Sequence, residues 1–165
     1  GKVTSDDGAL PVKISNDPFY YTEIVGDFVM RVKVSLDFKS TYDACAIMVM
    51  KDIKNWAKFC FEFTDFDTRA VVSVVTRDNA SDDANGCDIK EKFVWLQACR
   101  RDNAFAFHYS LDGEKYYMTR YFSLDLGDKV KIGLVAQCPS GAGGKRIFEN
   151  LNIESKTVKN IRAGI

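Results

Sequence analysis

The stretch that decides the fold is residues 94–110, VWLQACRRDNAFAFHYS, in which two alternating runs flank a tight turn. Apolar residues occupy nearly every second position of both runs, and this is the period of a half-buried β-strand. The Asp-Asn pair at 102–103 suits a two-residue hairpin turn whose residues need positive φ. The turn predicts a register that places Gln97 opposite His108. A slip of one residue would bury polar side chains, so the register is well specified.

The same texture continues along most of the chain. Runs rich in Val, Ile, Phe and Tyr, with a period near two, are separated by clusters of Asp, Asn, Gly and Ser. Ten or so strands and no convincing helix favour an all-β sandwich or jelly roll of two antiparallel sheets. The predicted strands are residues 19–25, 27–37, 44–51, 56–64, 69–77, 92–100, 104–110, 115–123, 129–138 and 145–153.

Length and composition fit a single folded domain. The chain has 165 residues, of which 46% are hydrophobic, so it can bury a sizeable core. We assign residues 1–155 to one jelly-roll domain and residues 156–165 to a polar C-terminal tail. The 23 basic and 23 acidic residues balance, which gives no general attraction to nucleic acid or to an anionic membrane. We therefore expect neither among its partners.

The five cysteines favour a reducing compartment. They are odd in number and widely spaced, no C-x-x-C pair occurs, and the chain has one histidine. We therefore expect no metal centre and no cofactor. Cys45, Cys60 and Cys99 lie in apolar runs, where a buried reduced thiol is the simplest interpretation. We accordingly expect a cytoplasmic protein.

An acidic stretch, TRDNASDDANGCDIKEKF at residues 76–93, interrupts this pattern. Its spacing superficially matches a calcium loop, but Lys92 occupies the position that needs a bidentate Glu, and no helices flank it. We predict a polar connection of about fourteen residues between two strands, with an irregular calcium site as the alternative.

Alternation assigns side chains to faces. In WAKFCFEF, residues 56–63, the phenylalanines must face the core, so Lys58 and Glu62 point outwards or into a groove. A second turn at residues 112–113 predicts a hairpin in which His108 lies opposite Tyr117. Tyr117 would then share the outward face of its sheet with His108.

Five segments together resemble one known family: GDFVMRVKVSLDFKSTYDACAIMV, NWAKFCFEF, SVVTR, VWLQACRRDNAFAFHYSLDG and VKIGLVAQCPSG. It is the uncharacterised concanavalin A-like lectin/glucanase family that includes the fungal regulation-of-enolase protein. The resemblance covers roughly residues 10–153 and implies a two-sheet jelly roll with a concave face. It implies no established activity, because fold analogy is a weak guide to function.

Three positions depart from the pattern of that family. Ala44 stands where a Gln commonly follows the Tyr-Asp pair, Gln97 replaces the Arg of W-x-R, and residues 81–83 read Ser-Asp-Asp instead of Ser-Asp-Trp. The core positions of this chain match the pattern of that family, while these polar or aromatic positions differ from it. We therefore hypothesise that the ligand site of this chain is altered or weakened.

Aromatic and polar residues on one concave face predict a binding function without catalysis. Sugar rings stack on aromatic side chains, and sugar hydroxyls need amide, imidazole or charged partners. We expect the ligand to be a saccharide or another small polar molecule. The alternative is that this sheet face binds no ligand and is only exposed to solvent. In this prediction two rings stack, and the other side chains bond or fix hydroxyls. The predicted ligand-binding residues are Lys58, Glu62, Arg77, Trp95, Gln97, His108, Tyr117 and Gln137.

Two other functions stay open. The name of the fungal relative suggests a protein-interaction module that regulates a metabolic enzyme, with a protein as its partner. A glycoside hydrolase would need two carboxyl groups facing each other across the scissile bond. Glu62 and Asp65 fall on opposite faces of an ideal strand, so any such pair would be an unrecognised one, and no residue is assigned as catalytic.

Overall fold

The computed structural model describes residues 17–165, which form eleven β-strands. The strands are β1 (Phe19–Val25), β2 (Phe28–Leu36), β3 (Ala44–Asp52), β4 (Asn55–Phe63), β5 (Arg69–Arg77), β6 (Ala80–Asp88), β7 (Phe93–Arg101), β8 (Ala104–Ser110), β9 (Tyr117–Ser123), β10 (Lys129–Gln137) and β11 (Arg146–Ser155). No helix among the described residues is long and apolar enough to cross a membrane.

The strands make two antiparallel sheets that pack face to face. One sheet has six strands in the order β1-β10-β3-β4-β5-β6, and the other has five in the order β11-β2-β7-β8-β9. Neighbours that are distant in sequence, such as β1 with β10 and β2 with β7, give the crossovers of a jelly roll. The predicted all-β sandwich is therefore confirmed.

The core lies between the sheets and is built from the inward positions of alternating strands. Phe59 and Phe61 on β4 belong to the same core cluster as Phe105 and Phe107 on β8, and all four side chains are fully buried. The rings of Phe59 and Phe107 stack across the interface with centroids 5.2 Å apart. Each buried phenylalanine stabilises the folded state by about 1.5–3 kcal/mol, so these side chains hold the two sheets together.

The two hairpins around β8 turn out differently. The first has the predicted register, with Gln97 opposite His108. The second shifts between Phe107 and His108, so Tyr117 lies opposite Tyr109 and not opposite His108. Tyr117 therefore shares the side of Tyr109, and the two rings stack with centroids 5.5 Å apart. Its predicted place beside His108 is wrong, because alternation cannot reveal a bulge.

Strand β6 is the element that sequence patterns missed. Residues 80–88 were predicted to lie in a connection, but they form the outermost strand of the six-stranded sheet. All nine residues are exposed, so neither face of β6 has to be apolar. Edge strands that lack a buried face carry no period-two signal, and charges on them are common.

Candidate functional site

The sandwich has two outer faces, and both carry polar residues at buried positions. We call the outer face of the six-stranded sheet the front face; it carries the alternate positions of β4 that include Lys58 and Glu62. We call the outer face of the five-stranded sheet the back face; it carries the row in which Gln97 lies opposite His108.

The eight predicted ligand-binding residues do not form one site. They divide between the two outer faces and the rim, because β4 and β10 belong to one sheet while β7 and β8 belong to the other. The single shared face that was predicted is therefore wrong. The front face holds Lys58, Glu62 and Gln137, the back face holds Trp95, Gln97 and His108, and the rim holds Arg77 and Tyr117.

The C-terminal tail covers part of the back face. Val158 and Ile161 in the tail are buried against Val29, Cys99 and Ala106 of the five-stranded sheet. Their packing removes apolar surface from water on both partners. Residues 156–165 are thus not simply a solvated end, because they fill a small core of their own.

The tail also completes the hydrogen bonding of the buried polar residues beneath it. Arg31 Nε donates to Gln97 Oε1 at 2.5 Å, and Gln97 Nε2 lies 3.3 Å from His108 Nδ1. His108 Nε2 lies 3.1 Å from the carbonyl oxygen of Arg162. A neutral imidazole with its proton on Nε2 fits this series of hydrogen bonds. Burial lowers the pKa of His108, which favours the neutral form.

Close packing leaves little room on the rest of that face. A Cβ at Gly164 would meet the Gln97 amide nitrogen, and Gly164 has a φ of 73°, so only glycine fits this approach. Trp95 lies under the second turn, where a Cβ at Gly113 would come within 2.8 Å of its ring. The back face is therefore filled by the protein itself.

Arg77 belongs to a connection between the sheets. Its guanidinium donates to Asp82 Oδ2 at 3.0 Å and to the Ser123 carbonyl oxygen at 3.0 Å. Arg120 on β9 pairs with the other oxygen of Asp82. These bonds join β5 and β6 to β9 along one side of the sandwich, which explains Arg77 without a ligand.

The front face has a floor of small side chains. Buried Ala44, Ala46, Cys60 and Ala70 share it with Val72 and Val135. Neither sheet of the sandwich covers this face, since the only two sheets formed by the described residues pack on each other through their opposite sides. These floor residues are no more than 4% exposed, so a ligand would meet the longer side chains around them.

Lys58 and Gln137 meet above that floor. Lys58 Nζ donates to Gln137 Oε1, although β3 lies between their strands. Gln137 Nε2 donates in turn to the carbonyl oxygen of Tyr42 at 3.0 Å. Gln137 is 6% exposed and Lys58 is half-buried, so the pair forms an ordered polar bridge across the face.

Glu62 is the electrostatically unusual group of this face. It is 7% exposed, and no residue within 17–165 donates a hydrogen bond to its carboxylate. Burial raises the pKa of Glu62 to about 7, the charge of Lys58 opposes this rise, and Asp83 and Asp65 add to it. Desolvation of a carboxylate is costly for its charged form, and this cost is the main cause of the raised pKa.

Tyr42 stands beside this carboxylate in an unusual backbone conformation. Its φ is 69°, a left-handed value that costs a bulky residue energy. Burial first, and then the charges of Asp65, Glu62 and Asp83, raise the pKa of Tyr42. The phenol therefore lies near the same carboxylates, while its side chain stays 44% exposed.

The loop that holds Tyr42 is fixed by its neighbour. Asp43 Oδ2 accepts hydrogen bonds from the amides of Lys39 and Ser40, at 3.1 and 3.0 Å. Asp43 also forms a buried ion pair with Arg146, with 2.5 Å between Oδ1 and Nη2. Sequence patterns missed Tyr42, because a strained loop residue has no periodicity; its place before Asp43 was the only signal.

No set of three His, Cys, Asp or Glu side chains in residues 17–165 is arranged to hold a metal ion. All five cysteines are free thiols, and Cys45, Cys60 and Cys99 are buried as predicted. Burial raises the pKa of each of these three thiols to about 12, so they are unreactive packing groups.

Comparison with known proteins gives a family and a fold. A family model described as "Protein of unknown function (DUF1349)" matches residues 5–156. No curated protein matches the chain. A functionally unknown protein from Saccharomyces cerevisiae shares the fold with a TM-score of 0.82 and 22% identity, over 90% of this chain and 80% of that one.

Two further solved structures share the fold, and one of them is named as a carbohydrate binding module. A mutant GH43 protein from Bacillus licheniformis matches with a TM-score of 0.69 and 14% identity, over 79% of this chain but 28% of that chain. The carbohydrate binding module CBM66 from Bacillus subtilis matches with a TM-score of 0.58 and 16% identity, over 87% of this chain and 84% of that one. At these identities the likeness shows a shared fold.

Proposed function

Because this chain belongs to the DUF1349 family, whose description assigns no function, we propose a function from the front face itself. The protein binds a carbohydrate, or another small ligand rich in hydroxyl groups, without catalysis. The bound ligand lies against Tyr42 and the polar bridge of Lys58 and Gln137. The carbohydrate-binding module that shares the fold makes this class of ligand a reasonable one.

The observation that carries the proposal is the buried Glu62 carboxylate without a described donor. A ligand hydroxyl would supply the missing hydrogen bond, and a bond to a charged acceptor is roughly twice as strong as a neutral one. Tyr42 offers a ring for the apolar face of a sugar, and Lys58 has a further N–H to donate. Five free thiols support the cytoplasmic location that we include in the proposal.

The experiment is a glycan array followed by calorimetry at pH 8, where Glu62 is ionised. We expect Glu62→Gln to weaken binding about tenfold, because the amide accepts a weaker bond than the carboxylate. Glu114→Gln is the matched control, since it makes the same change at an exposed position after β8. Equal binding by both variants, or no glycan bound by the native protein, would overturn the proposal.

A second candidate function is glycoside hydrolysis, which the raised pKa of Glu62 favours. A general acid in such an enzyme needs a pKa raised into this range and a second carboxyl group nearby. Asp65 and Asp83 are the acidic groups that interact with Glu62. Release of reducing ends by the native protein, and its loss in Glu62→Gln, would establish this function in place of simple binding.

The role in enzyme regulation implied by the fungal resemblance stays a prediction. A pulldown that recovers a stoichiometric enzyme partner, together with an empty glycan array, would favour it over the proposed function.

A further inference from the structure

One row of side chains crosses the entire front face at right angles to the strands. Across β1, β10, β3 and β4 the register aligns Tyr21 with Gly133, Met48 and Lys58. Across β5 and β6 the same row continues through Val74 to an exposed aspartate, Asp83. Five steps of about 4.8 Å make the row roughly 24 Å long, which is much longer than one sugar ring.

The row lacks one side chain near its β1 end, at Gly133. Gly133 has no side chain, and a Cβ there would collide with the backbone of Tyr20 and Tyr21. The missing side chain lets β1 pack tightly against β10, and the β1 backbone fills the space where a side chain of residue 133 would stand. No side chain therefore stands between Tyr21 and Met48 in this row.

Tyr21 presents an oriented aromatic ring beside Gly133. Its ring stacks on Phe19 with centroids 5.0 Å apart, and Lys131 Nζ lies 5.1 Å from the ring centroid. The Tyr21 side chain is nevertheless 48% exposed. A ring that is oriented by neighbours and open on one side suits stacking against a sugar.

Tyr21 is too far from Glu62 for one monosaccharide to touch both. The two positions are three strands apart, about 14 Å, and their rows are four residues apart along the strands, about 13 Å. The separation is therefore roughly 20 Å across the sheet.

We propose that the ligand is a linear oligosaccharide which crosses the strands of the front face, with a distal unit stacked on Tyr21. This inference rests on the proposed function and adds a second subsite to it. The Glu62 end supplies hydrogen bonds and charge, and the Tyr21 end supplies an aromatic surface. Affinity then grows with the length of the ligand.

The test compares Tyr21→Ala with Tyr20→Ala. These neighbours are both exposed, Tyr20 at 79%, but alternation turns Tyr20 to the other side of the sheet. The probes are glucose, xylose and their β-1,4-linked oligomers up to the hexamer, together with the monomer and oligomers of any glycan retained on the array. Calorimetry measures each dissociation constant.

We expect the best hexamer to bind at least about tenfold tighter than its monomer. Tyr21→Ala should remove most of that gain and leave binding of the monomer unchanged, while Tyr20→Ala should match the native protein. Equal affinity for monomer and hexamer, or equal effects of the two variants, would overturn the second subsite while leaving the proposed function intact. No binding of any saccharide would overturn both.

Discussion

The two outer faces of this sandwich bury similar polar groups but complete their bonding differently. On the back face, Gln97 and His108 reach carbonyl oxygens of the C-terminal tail, at 3.4 Å from Gly164 and 3.1 Å from Arg162. On the front face, Glu62 has no donor among the described residues. The bonds of Gln97 and His108 are closed by the protein, so this pair is structural, although the Tyr116 hydroxyl near Arg31 is enclosed there without a partner among residues 17–165. An acceptor without a donor, such as Glu62, is suited to a ligand.

The same difference gives the two faces opposite responses to pH. Burial raises the pKa of Glu62 to about 7 and lowers the pKa of His108. As the pH rises, Glu62 therefore stays protonated to a higher pH in the native state than in the unfolded chain. His108 becomes protonated only at a lower pH in the native state than in the unfolded chain. At acidic pH, Glu62 on the front face should therefore cost the native state less stability, and His108 on the back face should cost it more.

The largest expected effect tests the open acceptor. Glu62→Gln should raise the free energy of unfolding at pH 8 by roughly 3 kcal/mol, because each pKa unit above the usual 4.5 is worth about 1.4 kcal/mol. Below pH 4.5 Glu62 is protonated in both the folded and the unfolded state, so the native protein lacks this penalty. The native protein loses the roughly 3 kcal/mol as the pH rises through 7 and the buried carboxyl group ionises. Urea denaturation of both proteins at pH 4 and pH 8 measures the difference.

Glu114→Gln again serves as the control and should show no such pH dependence. Lower stability of Glu62→Gln at pH 8 would mean that the carboxylate is held by donors, and the contrast between the faces would disappear.

The second effect tests the closure of the back face. Ile161→Ala should lower the free energy of unfolding by about 2 kcal/mol, because Ile161 is buried among Val29, Cys99 and Ala106. Ile165 is 69% exposed in the same tail, so Ile165→Ala should change it by less than about 0.5 kcal/mol. Urea denaturation and hydrogen exchange of the tail amides report the two outcomes; equal effects would show that the tail is not anchored through Ile161.

The third effect concerns the imidazole. Since the native pKa of His108 is lowered, the native protein should lose stability as the pH falls below 6.5. His108→Gln should remove this loss and cost about 1 kcal/mol at pH 8, since an amide keeps part of the hydrogen bonding. Thermal unfolding from pH 5 to pH 8 compares the proteins, and an unchanged acid response in the variant would place its source elsewhere.

The smallest effect distinguishes the backbone contribution of Arg162 to the stability of the tail from the contribution of its side chain. Arg162 contributes its carbonyl oxygen to His108, while its guanidinium lies over the exposed ring of Tyr121 at 5.2 Å. Arg162→Ala should therefore lower the free energy of unfolding by no more than about 0.5–1 kcal/mol. A larger loss in urea denaturation would show that the side chain, and not the backbone, secures the tail.

Sequence patterns predicted the fold better than the site, for a physical reason. Alternation marks strands that bury one face, so it located ten strands and the register of Gln97 with His108. It could not locate β6, whose residues are exposed on both faces, or the bulge that moves Tyr117. Both exceptions lack the burial contrast on which such a prediction depends.

The candidate site was predicted only in part because alternation is local. It correctly turned Lys58 and Glu62 outwards on β4, and it turned Trp95 and Gln97 outwards on β7. Nothing in either strand says which sheet it joins, since long-range pairing decides that. The two outward sets were therefore placed on one face, although they lie on opposite sides of the sandwich.

Strand β6 is also an exposed edge of the six-stranded sheet, and such edges are sites where copies of a protein can aggregate. As an exposed edge, it offers unpaired backbone groups to any second strand that approaches. Asp83 and Asp88 give that edge a negative charge, whereas Asp82 is paired with Arg77 and Arg120. Like charges keep two such edges apart. The acidic residues of β6 thus act as a barrier against edge-to-edge aggregation, and conditions that neutralise them would favour it.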